Sequence, residues 1–222
     1  MIQTYPISKT ITTLADLEQR FNLSPTNNEQ FFREWQENLP KLTSQEKENL
    51  DQIKRRFERH RKQNSLAEGV INQLLISPLL TLAGLYDDPF YLTTEASVEL
   101  EVEEKKEILR GRIDTLIISQ QLWILIIESK STIAFTVALP QIMTYMLANP
   151  NPEIPVYGLI GNGDEFMFIK MSTSGVPQYD LSNIYSLLLP HKNQLYDVCR
   201  ILKQIANIMA INLKDKPTKT IN

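Results

Sequence analysis

RIDTLIISQQLWILIIESK, residues 112–130, decides the fold class of this chain. Two short runs dense in Ile, Leu and Trp, 112–119 and 122–130, are separated by Gln120-Gln121. Apolar runs of that length, interrupted by two polar residues, predict a hairpin of two largely buried strands. Each strand carries an acid out of an apolar run. Side chains alternate across a strand, so Glu128 and Lys130 share one face about 6.6 Å apart at Cα, while Ser129 takes the other. With Asp114 on that same face of the partner strand, two carboxylates and the backbone carbonyl at Ser129 offer hard oxygen ligands. Mg²⁺ favours such donors, with Mn²⁺ as its substitute. An ammonium beside such an ion has a clear use, since Lys130 can orient the attacking water and offset charge in a phosphodiester transition state.

Downstream, the pattern predicts a helix from about Pro140 to Ala148, with Pro140 in its first turn and Asn149-Pro150 stopping it. Gln141 and Tyr145 then lie one turn apart on one face. A proline-rich loop follows, and the runs 156–160 and 165–170 flank Asn162-Gly163, a strong hairpin signal. Residues 191–213 read as an amphipathic C-terminal helix, and 214–222 as a disordered tail. Upstream, Val98, Leu100 and Val102 alternate with Glu99, Glu101 and Glu103, which predicts a strand over 96–103 with one buried and one acidic face. A helix is expected from Ser65 to Ser77-Pro78, and a further turn or two ends at Gly84. Residues 1–63 read as an added helical region with segments at 14–22, 27–39 and 43–63, packed beside the core through Phe31, Phe32 and Trp35. The core domain is then 64–213.

Taken in order, Asp114, Glu128-Ser129-Lys130 and the segment Gln141-Ile-Met-Thr-Tyr145 resemble the PD-(D/E)xK nuclease superfamily, the last being similar to the Q-x-x-x-Y motif of its RecB-like and type I restriction branches. Glu68-Gly-Val-Ile-Asn-Gln-Leu-Leu-Ile-Ser-Pro-Leu-Leu, followed by Gly84-Leu-Tyr-Asp87, is similar to the first core helix of type I restriction R subunits. The resemblance covers roughly residues 64–170, on short motifs that persuade through their order. It implies a restriction-endonuclease-like α/β fold, a central mixed sheet flanked by helices, with the site at the splayed ends of the second and third strands. It also implies a Mg²⁺-dependent deoxyribonuclease in which Asp114 and Glu128 bind the ion and Lys130 acts on the water. Gln141 and Tyr145 would support substrate or Lys130, and Glu68 would hold a water on the metal or a second ion. Ile113 stands where the motif has proline. No G-x-x-x-x-G-K-[ST] phosphate-binding loop occurs in the 222 residues, so the helicase motor of an R subunit is missing. The expected nuclease acts on DNA alone, or beside a helicase or DNA-recognition subunit.

Other readings stay open. Ser65-Leu-Ala-Glu68 is also a capping box, in which Glu68 reaches back to the Ser65 amide. Six of the nine residues 54–62 are Lys or Arg; Arg55, Arg59 and Lys62 would line one side of a helix, suited to phosphate contacts or simply solvated. Glu99, Glu101 and Glu103 read as an exposed strand face, and Cys199 as core. A catalytically idle nuclease fold that binds DNA or a partner protein is the competing function. Composition is that of an ordinary globular protein, 42% hydrophobic and 22% charged, with a net charge of −3 that does not advertise nucleic acid. A single cysteine excludes an intramolecular disulfide and a cysteine-rich zinc site. With neither a signal peptide nor an 18-residue apolar run, no membrane association is expected and the cytoplasm is the expected location.

Overall fold

In the computed structural model, residues 3–63, 66–102, 106–119, 122–129 and 135–214 are described. The chain opens with β1 (Gln3–Pro6), α1 (Ile7–Thr10), α2 (Leu14–Phe21) and β2 (Ser24–Pro25), and a 3₁₀ turn covers Arg33–Trp35. Next come α3 (Ser44–Arg61), α4 (Glu68–Ile71), a π-helical segment (Asn72–Ile76) and α5 (Ser77–Leu82). The long strands β3 (Tyr91–Val102), β4 (Glu107–Ser119) and β5 (Leu122–Ser129) precede α6 (Phe135–Leu147). Last are β6 (Val156–Gly161), β7 (Glu165–Ser172), β8 (Gln178–Leu181), β9 (Tyr185–Ser186) and α7 (Leu195–Lys214).

The strands form one mixed sheet in the order β1-β4-β5-β6-β7-β8-β2, with β3 added on β4 and β9 on β7. β1–β4, β5–β6 and β2–β8 are parallel and the other pairs antiparallel. Both faces of the sheet are covered. On β7, Phe166 and Phe168 join one buried cluster with residues of α3, α5 and α7, while Met167, Ile169 and Met171 join the other with residues of α1, α2 and α6. A strand buried on both sides has no polar alternation, which is why 156–160 and 165–170 read as near-continuous apolar runs. The protein is accordingly an α/β structure with helices on both sides of a mixed sheet.

The predicted hairpin is present as β4–β5 and the predicted acidic-faced strand as β3, where Val98 and Val102 are buried and Glu99 and Glu101 exposed; Glu103 lies outside the described residues. The Asn162-Gly163 turn joins β6 to β7: Asn162 Oδ1 accepts from the Asp164 and Glu165 amides, and Gly163 has φ +90°. A residue with a Cβ is strained there, and the added atom would lie 3.0 Å from Phe57 Cζ. Cys199 is fully buried, and desolvation pushes its thiol up to about 11.

Several expectations are corrected. Residues 27–39 form no long helix, only the Arg33–Trp35 turn, because Phe32 and Trp35 are drawn into the core against Phe168. The first 63 residues are not purely helical: β1 pairs with β4, and β2 with β8. α6 contains Pro140 in its interior. Proline cannot donate to the carbonyl of Thr136 one turn earlier, but Thr136 is exposed, so water can take that bond. The tail 215–222 lies outside the described residues.

α3 shows how local chemistry and packing agree. Thr43 caps it: its Oγ1 accepts from the Glu46 amide, and Glu46 Oε2 accepts from the Thr43 amide at 2.7 Å. Leu50, Ile53 and Phe57 form its buried stripe. Glu46 also pairs with Lys203 of α7, and this partner, followed by the Thr43 bonds, holds the Glu46 carboxyl below its ordinary value. A lowered folded-state value contributes stability that is present above the unfolded value near 4.5 and is lost as pH falls through the folded one. Melting temperature measured from pH 7 downward should therefore fall more steeply in wild type than in Glu46→Gln; parallel curves would remove this linkage.

Candidate functional site

The site grows out of the pairing of β4. One edge of this strand pairs with β3 over most of its length. Along its other edge, β1 pairs with Glu107 to Arg110 and β5 with Thr115 to Ser119. Residues 111–114 stand between these two partners, where β1 has ended and β5 has not begun to pair. The last β4–β5 pair is Thr115↔Ile127; one step further along each strand are Asp114 and Glu128. The backbone thus brings the two predicted acids to adjacent positions at the place where the edge opens. The side chains of Glu128 and Ser129, and the whole of Lys130, lie outside the described residues.

Asp114 and Glu68 line one cleft of about 440 Å³, together with Asn72, Gln73, Ser77 and Glu95. Glu68, distant in sequence from Asp114, is thus brought to it by packing. α4 begins at Glu68, with Ala67 as its N-cap and no side-chain capping bond. Ser65, and with it the Ser65–Glu68 capping box, lies outside the described residues. Beyond α4 the helix widens to π geometry over Asn72–Ile76. Pro78 explains this locally, because it cannot donate to the carbonyl of Leu74 four residues before it. π segments are frequent at functional sites, and here Asn72 and Gln73 of the widened turn face the same cleft as Asp114. Gly69 also lines the cleft, and a Cβ there would meet nothing within 4 Å.

Glu95 was not among the residues singled out from the sequence. It stands across from Asp114 in the β3–β4 register, between the pairs Thr94↔Thr115 and Ala96↔Ile113. Its backbone is left-handed, at φ 51°, a conformation that costs a non-glycine residue about 1–3 kcal/mol and clusters at functional sites. No sequence signal marks it, since a strand acid between threonine and alanine reads as solvated. Glu95 pairs with Arg112 at 3.1 Å, both side chains well exposed.

Gln141 and Tyr145 are joined to each other, as their one-turn spacing allows: Gln141 Nε2 donates to Tyr145 Oη at 2.8 Å. They do not line the Asp114 cleft. Tyr145 is 2% exposed and borders a second cleft of about 540 Å³ with Ser8, Ser97, Arg110, Gly111 and Arg112. The two clefts adjoin at the Glu95–Arg112 pair, one partner lining each. Tyr145 occupies the room left by the missing side chain at Gly111, where a Cβ would lie 2.6 Å from Tyr145 Cε1. The ring, bonded to Gln141, must shift to admit the methyl, so Gly111→Ala should destabilise the fold by about 1–3 kcal/mol. Urea unfolding measures this directly, and an unchanged midpoint would mean that the ring swings aside at no cost.

The described residues offer this cleft carboxylate and amide oxygens, with no Cys or His in its lining. That donor chemistry fits a hard cation such as Mg²⁺. Among the described residues no three His, Cys, Asp or Glu side chains group closely enough to hold a metal by themselves, and the predicted ligand set includes Glu128, whose side chain is not among them. Among the same residues no helix is long and apolar enough to cross a membrane. Compared with known proteins, the chain matches no family model and no curated sequence.

Proposed function

We propose that the protein is a Mg²⁺-dependent deoxyribonuclease of the PD-(D/E)xK type, hydrolysing phosphodiester bonds without a covalent enzyme intermediate. The observation that carries this reading is the meeting of Asp114 and Glu68 in one cleft, at the break in β4 pairing beside backbone position 128. Asp114, Glu128 and the Ser129 carbonyl hold the ion. The chemistry supplied by bound Mg²⁺ is polarisation of the phosphoryl oxygen and acidification of water. Lys130 orients the attacking water and offsets the negative charge that builds on the phosphoryl oxygens. Glu68, lining the same cleft, would hold a water or a second ion by its carboxylate. Tyr145, bonded to Gln141 and packed behind Gly111, keeps β4 in place next to Asp114 and borders the adjoining cleft, where a strand of substrate can continue. The protein acts alone or beside a helicase or DNA-recognition subunit.

The test is incubation with supercoiled, linear and single-stranded DNA in Mg²⁺, in Mn²⁺ and in EDTA, for wild type and Lys130→Ala. Cutting that requires the metal and is lost in the variant supports the reading. A folded wild-type protein that cuts none of the three in either metal sinks it.

A further inference from the structure

The last two turns of α3 carry a cationic face that the cleft does not use. Arg55, Arg56, Arg59 and Lys62 are exposed, on the side of the helix away from its buried stripe of Leu50, Ile53 and Phe57. Among the described residues none of these four is in an ion pair. The acids that might neutralise them are engaged elsewhere. Asp51 accepts from Asn193 and Tyr196 at 2.8 Å each, and Glu58 pairs with Lys54. In a chain of net charge −3, this concentrates positive charge on one short surface. Arg55, Arg59 and Lys62 recur at helical spacing over about 10 Å, roughly the axial length of three phosphates along one strand of a duplex.

Its position ties it to the cleft. Arg61 clamps this end of α3 to the β6–β7 turn, with Nε 2.6 Å from Asp164 Oδ1 and Nη2 3.0 Å from Oδ2. At the same turn Phe57 of α3 and Ile71 of α4 both approach Gly163, and Ile71 is one turn of helix from Glu68. Chain connectivity adds a bound: six residue steps from Lys62 to Glu68 span at most about 20 Å. The Lys62 end of the cationic face therefore lies within about 20 Å of Glu68 in the cleft wall.

We infer that the exposed face Arg55–Arg56–Arg59–Lys62 is a duplex-docking surface that grips the DNA phosphate backbone and delivers it to the Asp114 cleft. The inference rests on the nucleic-acid reading of that cleft and adds where the substrate is held. It contributes affinity without sequence preference, because phosphate contacts position a duplex but carry no base information. None of the four residues belongs to the proposed catalytic machinery.

The test separates binding from cleavage. Binding of a fluorescein-labelled duplex is followed by anisotropy in EDTA, over a series of salt concentrations, for wild type, for Arg55→Ala/Arg59→Ala/Lys62→Ala, and for Lys9→Ala/Lys41→Ala/Lys47→Ala. The last variant removes the same charge from exposed lysines off this face, two of them outside α3 and Lys47 near the helix's start. The α3 variant should bind roughly tenfold or more weakly, and the slope of log K against log salt should shrink by about 2 to 3, while the scattered variant stays near wild type. Equal losses in both variants reduce the effect to net charge and overturn the inference, as does a wild-type protein that binds no duplex. Loss of binding to phosphatidylserine vesicles in the α3 variant, with duplex binding intact, reassigns the surface to a membrane and also overturns it. If thermal melting shows the triple variant unfolded, Arg55→Gln and Lys62→Gln singly carry the same slope measurement. Cleavage decides the other reading independently: duplex binding that depends on α3 without any metal-dependent cutting keeps the docking surface and removes the nuclease, and cutting by wild type with α3-independent binding does the reverse.

Discussion

Asp114→Ala is expected to lower metal-dependent cleavage by about 10³-fold, the scale on which removing one group that stabilises transition-state charge acts, while the protein remains folded. The first half of that expectation comes from the proposed role of Asp114 as a ligand, in a cleft whose other described carboxylates, Glu68 and Glu95, lie on different elements and do not group into a metal site by themselves. The second half comes from packing. Asp114 is only partly buried, whereas Ile113 and Leu116 beside it are held in the core and Ile117 in the cluster on the opposite face. Strand β4 keeps its place through those neighbours. Single-turnover rates at saturating Mg²⁺, with melting temperature measured in parallel, check both halves. A rate within a factor of about 3 of wild type, in a folded variant, would remove Asp114 from the reaction, since loss of an essential charge-stabilising group is worth far more than that.

Trp35→Ala is expected to cost about 3–5 kcal/mol of stability, the range for deleting a large aromatic side chain from a core. Trp35 is 7% exposed; its ring centroid lies 3.8 Å from that of Phe32, 5.5 Å from Phe168 and 6.1 Å from Tyr157. Phe168 and Tyr157 belong to β7 and β6, so the residue reaches the centre of the sheet from a segment that reads as an extension. The same packing predicts that a fragment of residues 64–222 fails to fold. It would lack β1 and β2, and the Phe32, Trp35, Leu50, Ile53 and Phe57 part of the core cluster. Urea unfolding of the point variant and circular dichroism of the fragment measure the two effects. A fragment with a cooperative transition near that of the full chain would show that residues 1–63 are dispensable.

The contrast between these two residues separates what is local in the sequence from what is not. Asp114 is legible because it interrupts an apolar strand run, where an unsatisfied charge would be costly to bury, and because its hairpin partner carries the Glu128-Ser129-Lys130 triplet. Trp35 is visible as a core candidate, but its neighbours are not. Beyond Phe32, its partners sit on strands more than a hundred positions away, and nothing local identifies them. Cys199 falls on the legible side, since it lies in the apolar stripe of an amphipathic helix and is found fully buried.

By itself the sequence determined the elements whose signal is local. The β4–β5 hairpin, the acidic face of β3, the Asn162-Gly163 turn and the periodic helices α3 and α7 follow from alternation, turn chemistry and helical spacing, all of which act over a few residues. Only the tertiary structure decided the rest. β1, β2, β8 and β9 are two to four residues long, too short for periodicity to mark them, and they are strands only because a neighbour supplies their hydrogen bonds. The left-handed Glu95 and the approach of Glu68 to Asp114 arise likewise from contacts between distant parts of the chain. The sequence could nominate the acids; their meeting in one cleft depends on packing, which no local pattern encodes.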